Sequence, residues 1–493
     1  MEALDWIVIG VFALALIGII VWVVKQKQND SADYFLGGRD ATWLAIGASI
    51  FASNIGSEHL IGLAGAGASS GMAMAHWEIQ GWMILILGWV FVPFYSRSMV
   101  YTMPEFLERR YNSQSRTILS VISLISYVLT KVAVTVYAGG LVFQQVFGIK
   151  ELWGIDFFWI AAIGLVVLTA LYTIFGGMKS VLYTSVLQTP ILLLGSLIIL
   201  VLGFKELGGW DEMMRICGAV TVNDQGNTMT ELIRSNDDPN FPWLGALIGS
   251  AIIGFWYWCT DQFIVQRVLS GKNQKEARRG TIFGAYLKLL PVFLFLIPGM
   301  IAFALHQKYI GDGGFLPLLA NGTPNADAAF PTLVAKILPA GVKGLVVCGI
   351  LAALMSSLAS LFNSSAMLFT IDFYKRFKPQ TSEKKLVVIG QIATVVIVIL
   401  GILWIPIMRS VGDVLYTYLQ DVQSVLAPGI AAAFLLGITW KKTSAQGGMW
   451  GLIAGMVIGL TRLGAKVYYS NATVTDSSLF KYLFYDLNWL FFC

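Results

Sequence analysis

The stretch FASNIGSEHL, residues 51–60, lies within an apolar segment, 43–66, that would otherwise cross a lipid bilayer as a plain helix. Its polar members include Asn54, Glu58 and His59. In lipid every backbone polar group must be bonded internally, so a broken helix persists only where it faces protein or water. A charged side chain at that depth is costly and usually marks a functional site. We therefore predict that the helix unwinds at about residues 54–57, where free carbonyls and hydroxyls hold a small cation and a substrate. A kinked helix whose polar residues only satisfy their neighbours is the alternative.

The composition indicates a polytopic, all-α membrane protein. The chain has 493 residues, of which 57% are hydrophobic and only 12% are charged, whereas soluble domains carry about 25% charged residues. The net charge of +5 is no sign of nucleic-acid binding, because the basic residues lie mostly in short loops between apolar runs. The four cysteines are widely spaced and form no metal-ligand pattern. The first apolar run lacks a basic segment before it and a cleavage site after it, so we expect a retained helix.

Twelve apolar segments are long enough to cross a bilayer, at about 20 residues per crossing. They are residues 5–25, 43–66, 73–97, 115–147, 155–175, 181–204, 242–266, 277–306, 341–371, 386–408, 413–438 and 445–468. The tail, 480–493, begins another apolar run and stops inside it, so we expect the natural chain to continue.

The loops between these segments alternate in charge. One set is rich in Lys and Arg, near residues 25–39, 97–116, 272–279, 375–385 and 441–442. The opposite set is acidic or neutral and includes the long loop 205–241. Because basic loops stay on the cytoplasmic side, we predict an integral protein of the cell (inner or plasma) membrane with its amino terminus outside.

The spans divide into two sets of five that must have opposite orientations, because five is odd. We predict one transmembrane domain with a first repeat at 43–204, an inverted second repeat at 242–438, an extra amino-terminal helix at 5–25 and carboxyl-terminal helices at 445–493. The first helix of each set is unusual, since the second set begins with a span that contains WYWCTDQ, residues 256–262. Interrupted helices at corresponding positions of two inverted halves indicate the binding site of a transporter.

Polar and aromatic residues at membrane depth suit a neutral ligand with many hydroxyl groups. Amides, a carboxylate, an ammonium and an imidazole can match hydroxyls that both donate and accept, and aromatic faces pack on C–H surface. Glu78 and Lys288 could instead form only a buried ion pair with each other. The candidate residues are Asn54, Glu58 and His59, Trp77 and Glu78, Lys288, and Gln420.

The ninth span carries a run of serines, LMSSLASLFNSS, residues 354–365. Hydroxyls of Ser356 and Ser357 could coordinate Na⁺ opposite the unwound carbonyls of Ala52 and Ile55, since unwound backbone is a recurring Na⁺ ligand in transporters. Small-residue packing between helices is the alternative explanation for such a run.

Several long motifs resemble one family. DYFLGGR (33–39), FASNIGSEHLIGLAGAGASSG (51–71), YTMPEFLERRY (101–111), WYWCTDQFIVQRVLS (256–270) and LMSSLASLFNSS are similar to the sodium/glucose cotransporters of the solute:sodium symporter family. The chain looks like a bacterial version of the animal intestinal and renal members. The resemblance, from about Asp33 to Lys466, implies a LeuT-type five-plus-five inverted repeat that moves a sugar with Na⁺ by alternating access.

The resemblance also implies two sets of site residues. The sugar site would comprise Asn54, His59, Glu78, Tyr257, Trp258, Lys288 and Gln420, with Tyr257 on the cytoplasmic side of the sugar and Trp77 on the outer side. The sodium site would comprise Ala52, Ile55, Ala353, Ser356 and Ser357.

Four positions depart from the family pattern. Related members have Thr or Asn at Gly254, and one bacterial relative has Ser at Gly81, so the sugar preference is open. Members that carry two sodium ions have Asp at the position of Ser185 and Thr at Ala359. With a carboxylate and a hydroxyl both missing, we predict one Na⁺ per sugar.

These observations predict a secondary active symporter, and not an enzyme, that couples Na⁺ entry to uptake of a glucose- or galactose-type monosaccharide. Inositol or a sialic acid is the alternative cargo, and we expect a monomer. A membrane enzyme would need a dyad or nucleophile that the three histidines (His59, His76 and His306) do not form. A channel would pass ions without coupling to a solute.

Overall fold

The structure is a computed structural model that describes residues 1–26, 30–56, 58–319, 321–411, 415–471 and 478–492. Within these ranges the side chains of residues 129–130, 407–411, 415–422, 467, 470–471 and 489 lie outside the description.

The described chain is mostly helical. The α-helices of its first part are α1 (Ala3–Val24), α2 (Ser31–Leu36), α3 (Trp43–Asn54), α4 (Ala64–Ser70), α5 (Ala75–Ile79), α6 (Met83–Ile86), α7 (Val92–Ser98), α8 (Met103–Arg110), α9 (Ser113–Ser126), α10 (Ala133–Phe147), α11 (Phe157–Leu207) and α12 (Trp210–Gly218). Those of its second part are α13 (Trp243–Phe255), α14 (Gln262–Leu269), α15 (Gln274–Leu287), α16 (Ile297–Lys308), α17 (Ala329–Ile337), α18 (Val342–Met367), α19 (Lys375–Phe377), α20 (Glu383–Val411), α21 (Leu415–Thr439), α22 (Ala445–Asn471), α23 (Leu479–Lys481) and α24 (Trp489–Phe492).

Wider and tighter turns interrupt these helices. π-Helical segments are Glu58–Leu63, Leu87–Phe91, Tyr127–Val132, Trp256–Thr260, Val292–Leu296, Leu368–Tyr374 and Tyr482–Asp486. Turns of 3₁₀-helix are Gly37–Arg39, Gly71–Met74, Gln80–Trp82, Ile310–Asp312 and Ala326–Ala328. Two short strands, β1 (Glu151–Leu152) and β2 (Ile155–Asp156), pair antiparallel.

Within the described ranges, eight helical segments are long and apolar enough to cross a membrane. The central one is Val342–Phe377, whose most apolar window is 89% buried, whereas that of α1 is only 17% buried. Two shorter apolar helices, Trp43–Asn54 and Ala133–Phe147, belong to predicted spans that the structure divides, and a third, Gln423–Thr439, is the part of α21 whose side chains are described. An apolar exterior around a buried central helix is what a bundle surrounded by lipid requires.

Two predicted spans, 155–175 and 181–204, form the two arms of α11. The helix bends between them at Gly177, which has φ 53° and ψ −147°. A β-carbon there would overlap the carbonyl oxygen of Tyr34. Only glycine accommodates both the positive φ and this close approach.

Small residues bring the interrupted helix α3 close to α15. A β-carbon on Gly280 would lie 2.6 Å from the β-carbon of Ile46, and one on Gly284 would lie 3.2 Å from Ile50. Such close backbone contact is typical of membrane helix interfaces. This contact packs α3 against α15 along the part of α3 that precedes the break.

Candidate functional site

Helix α3 ends in the middle of the bundle. Its last residue is Asn54, and Ile55 has extended dihedrals, φ −81° and ψ 101°. The chain resumes as the π-helical segment Glu58–Leu63, and Ser57 lies outside the described residues. Asn54 and Ile55 are buried. The predicted interruption of this span is therefore confirmed.

Serine hydroxyls of α18 face the break. The Ser357 hydroxyl donates to the carbonyl oxygen of Ser53 at 2.8 Å and lies 3.5 Å from that of Ile55. The Ser53 hydroxyl is 2.7 Å from that of Ser360 and 3.3 Å from that of Ser356. Oxygen atoms from the end of α3 and from α18 therefore converge on one buried region.

The residues predicted to hold sodium all lie in this region of α3 and α18. Each is buried: Ala52, Ile55, Ala353, Ser356 and Ser357. Ser53 was not predicted as a site residue, although its hydroxyl and its carbonyl oxygen both lie among the converging oxygen atoms. In the sequence, only its position next to Asn54 pointed to it. The spacing of apolar residues along a helix does not show which backbone carbonyls lose their helical hydrogen bonds at a break.

A cavity lies next to the break. The side chains that line it are those of Asn54, Glu58, His59, Trp77, Glu78, Gln80, Ile253, Tyr257, Trp258, Lys288 and Gln423.

Three ionisable side chains from three segments meet in the cavity wall. The Lys288 ammonium donates to His59 Nε2 at 2.7 Å and lies 2.7 Å from Glu78 Oε2. Glu78 Oε1 is 3.2 Å from His59 Nε2. All three side chains are at most 6% exposed. Glu78 and Lys288 thus form the ion pair that the sequence left as an alternative, but they do so at the cavity surface.

Aromatic side chains form another wall. Asn54 Nδ2, at the end of α3, donates to the Tyr257 hydroxyl at 2.9 Å. Tyr257 meets Trp258 edge-to-face at 4.9 Å, and the Lys288 ammonium is 5.5 Å from the centre of the Trp258 ring. The segment that carries Tyr257 and Trp258 is π-helical, which lets two consecutive residues reach one cavity.

The predicted sugar-site residues meet at this cavity, with one position left undescribed. Those that line it are Asn54, His59, Trp77, Glu78, Tyr257, Trp258 and Lys288. The side chain of Gln420, the remaining predicted residue, lies outside the described residues.

The structure adds residues that were not assigned to the site. Gln80 and Gln423 were not predicted as site residues, although they lie close in sequence to Glu78 and Gln420. Gln80 follows Glu78 by two positions, which a regular helix would turn away from it. The 3₁₀ turn Gln80–Trp82 changes the winding, so Glu78 and Gln80 both line the cavity.

A second buried ion pair lies beneath Tyr257. Lys131 Nζ is 2.6 Å from Asp261 Oδ2 and 4.7 Å from the centre of the Tyr257 ring. The Tyr127 hydroxyl donates to Asp261 Oδ1. Lys131 was missed, although a lysine inside an apolar span is itself a signal of function.

A third buried cation borders the hydroxyl cluster. Arg267 is 1% exposed, and its Nε donates to the Ser49 hydroxyl at 3.1 Å. The Ser185 hydroxyl lies 3.5 Å from that of Ser49 and 3.2 Å from that of Ser356. A positive charge therefore stands beside the position where a carboxylate was noted as missing.

Comparison with known proteins agrees with a transporter that has a buried binding site. Residues 34–455 match the Sodium:solute symporter family. The chain is 38% identical over 485 residues to human "Sodium/myo-inositol cotransporter 2", covering 95% of this chain and 71% of the relative. It is 37% identical over 511 residues to "Sodium/glucose cotransporter 4" of Danio rerio, covering 100% of this chain and 76% of the relative.

Two solved structures share the fold. A substrate-bound, outward-open Na⁺-coupled sialic acid symporter aligns with a TM-score of 0.76 at 23% identity, over 100% of this chain and 94% of that one. MhsT in complex with L-phenylalanine aligns with a TM-score of 0.55 at 13% identity, over 85% of this chain and 98% of that one. The predicted all-α, LeuT-type fold is thereby confirmed, and the family match and the curated relatives confirm a transporter rather than an enzyme. The chain belongs to the sodium:solute symporter family, and it is an integral membrane symporter whose co-transported ion is Na⁺.

Proposed function

We propose that the protein carries a neutral monosaccharide of the glucose or galactose type into the cell together with one Na⁺. The observation that carries the proposal is the pairing of Lys288 with Glu78 at 2.7 Å in the cavity wall. The ammonium is already matched, so it leaves no free positive charge for an anionic substrate. Neutral hydroxyls, in contrast, can bond to the outer atoms of the pair without separating it.

The remaining charge in the cavity favours the same class of substrate. Glu58 lines the cavity, and among the described residues its carboxylate has no hydrogen-bond or ion-pair partner. With Glu58 and Glu78 against Lys288, the described wall has an excess of negative charge. A sialic acid carries a carboxylate and would be repelled, whereas a polyol can donate hydrogen bonds to Glu58.

Inositol is the second candidate, because the human relative at 38% identity is a sodium/myo-inositol cotransporter. It is also neutral and rich in hydroxyls, so the charge argument does not separate it from a hexose. Proteoliposomes that contain the purified protein can separate them, with uptake of labelled glucose, galactose, myo-inositol and sialic acid measured with and without an inward Na⁺ gradient. We expect Na⁺-dependent uptake of a hexose; uptake of sialic acid in preference to every neutral solute would overturn the proposal.

For the sodium site we propose Ala52, Ile55, Ala353, Ser356 and Ser357. The contact of Ser357 with carbonyls at the end of α3 supports this choice. An ion that binds both α3 and α18 would stabilise the state in which they are close, and that state would have the cavity residue Asn54 in position. Linkage then requires Na⁺ to tighten sugar binding by the same factor by which sugar tightens Na⁺ binding.

One Na⁺ per sugar is supported by the surroundings of Ser185. The Arg267 guanidinium is bonded to Ser49, next to Ser185, and its charge would repel a second cation there. A tenfold Na⁺ gradient is worth about 1.4 kcal/mol, and roughly 100 mV adds about 2.3 kcal/mol per charge. One ion thus supports sugar accumulation of roughly 500-fold.

We further propose that the repeats span residues 43–204 and 242–438, flanked by 5–25 and 445–493. Breaks after Asn54 and at Asp261, in the first span of each repeat, support this division.

The basic loops favour an amino terminus outside the cell membrane. Labelling of single cysteines introduced at Lys25 and at Asp224, by an impermeant reagent on intact cells, tests this orientation, and labelling at Lys25 alone would reverse it.

A further inference from the structure

We propose that Gln80 binds one hydroxyl of the transported sugar and so helps to set specificity, in space that Gly254 leaves open. This inference rests on the proposed function, since it assigns a further contact in the same cavity.

Gly254, in α13, has no side chain where its helix faces Gln80. A β-carbon on Gly254 would overlap Gln80 Oε1 and would lie 3.3 Å from Gln80 Cδ and 3.4 Å from Met83 Cγ. The carboxamide of Gln80 therefore occupies the space that any side chain at position 254 would need. A polar group that α13 lacks is supplied by the neighbouring span.

The carboxamide has no partner in the described protein. Gln80 is only 6% exposed and lines the cavity, and Oε1 is buried without a hydrogen bond. Among the described residues, neither atom of the amide is bonded. A buried polar group that lacks a partner is destabilising, so a ligand that bonds to it is favoured.

The chemistry of an amide selects the kind of partner. The amide oxygen accepts and the amide nitrogen donates, and one hydroxyl group can do the reverse of each. Two features oppose a purely structural role for Gln80. Its side chain makes no hydrogen bond to another segment in the described chain, and it lines the cavity.

The test compares wild type with Gln80→Ala in proteoliposomes, with the parent sugar and its monodeoxy analogues as solutes. We expect the KM for the parent sugar to rise about tenfold, which corresponds to loss of one hydrogen bond of about 1.4 kcal/mol. For one deoxy analogue, the KM of the two proteins should be equal, because that analogue lacks the hydroxyl that Gln80 binds. Apparent Na⁺ affinity without sugar should not change.

A second comparison uses Gly254. Gly254→Ala should raise the KM as much as Gln80→Ala, because its β-carbon displaces the carboxamide without adding a hydroxyl, and the two changes combined should cost little more than either alone. Gly88→Ala is the matched control: a β-carbon there would meet Thr281 and Ile282 at 3.4 Å, an ordinary contact, and should leave uptake unchanged.

The outcomes separate the two proposals. If wild type takes up no neutral polyol, the proposed function is overturned and this inference with it. If wild type takes up a sugar but Gln80→Ala has the same KM for it, or raises the KM equally for every deoxy analogue, only the role of Gln80 is overturned. If inositol is the substrate, the same comparison is made with deoxyinositols.

Discussion

The Ser357 hydroxyl, on α18, donates a hydrogen bond of 2.8 Å to the carbonyl oxygen of Ser53, one residue before α3 ends. The two residues are 304 positions apart in the chain. Their contact joins a helix end to a continuous helix in the interior of the bundle. If Na⁺ binds between them, the sodium site lies at the contact between the two repeats of the protein.

The first prediction concerns this joint. Ser357→Ala should lower the apparent affinity for Na⁺ in sugar uptake by roughly tenfold, because one oxygen worth about 1–1.5 kcal/mol is removed. Uptake measured against Na⁺ concentration provides the test. Ser365→Ala is the matched control, since that buried hydroxyl of α18 has no partner in the described chain. An unchanged Na⁺ dependence in Ser357→Ala would exclude Ser357 from the sodium site.

The second prediction concerns Glu78 and Lys288. Lys288→Met leaves a carboxylate buried without its cation, and loss of one member of a buried pair costs about 3–5 kcal/mol. The protein should therefore lose thermal stability in detergent, and Glu78→Gln combined with Lys288→Met should recover much of the loss. The exposed pair Glu212–Arg215 serves as a control, because its disruption should leave thermal stability unchanged. Additive losses in the double variant would mean that the two charges do not stabilise each other.

The third prediction concerns stoichiometry. With one Na⁺ per sugar, a tenfold change in sugar concentration should shift the reversal potential by about 60 mV, whereas two ions would give about 30 mV. Current–voltage curves on solid-supported or planar membranes measure this slope. Ser185→Asp with Ala359→Thr restores a carboxylate and a hydroxyl, and we expect the slope to move towards the smaller value. A slope near 30 mV in wild type would contradict the argument from Ser185 and Arg267.

The fourth prediction is a dependence of stability on pH. Asp327 lies in the 3₁₀ turn Ala326–Ala328, between membrane-spanning segments, and burial raises the pKa of its carboxyl from 3.8 to about 6. Its neutral form is favoured in the folded state. Its contribution to stability is therefore full below about pH 4 and is lost as the pH rises through about 6.

Asp327→Asn keeps a neutral group at every pH. The variant should match wild type in thermal stability at about pH 3.5 and exceed it at about pH 7.5, because only wild type then buries a charge. Melting temperatures of both proteins across this range give the measurement. Parallel pH profiles would show that Asp327 does not titrate with a raised pKa.

The sequence alone was sufficient to predict a polytopic membrane protein and to locate the interruption in its second span. Long apolar runs are unambiguous because lipid tolerates few polar groups. For the same reason the polar residues at membrane depth are few, and Asn54, His59, Glu78 and Lys288 could be selected without coordinates. The sites themselves were assigned through the resemblance, since periodicity does not say which distant residues meet.

Only the tertiary structure decided how these groups combine. The pairing of Glu78 with Lys288, the pair of Lys131 with Asp261 and the turn of Gln80 into the space beside Gly254 all depend on how helices cross and rotate. Turns of π- and 3₁₀-helix shift a side chain from one face of a helix to another, and a short run of sequence does not specify them. Apolar and polar composition is a property of each segment, but a cavity is formed between segments, and so its shape and its charge appear only when they pack.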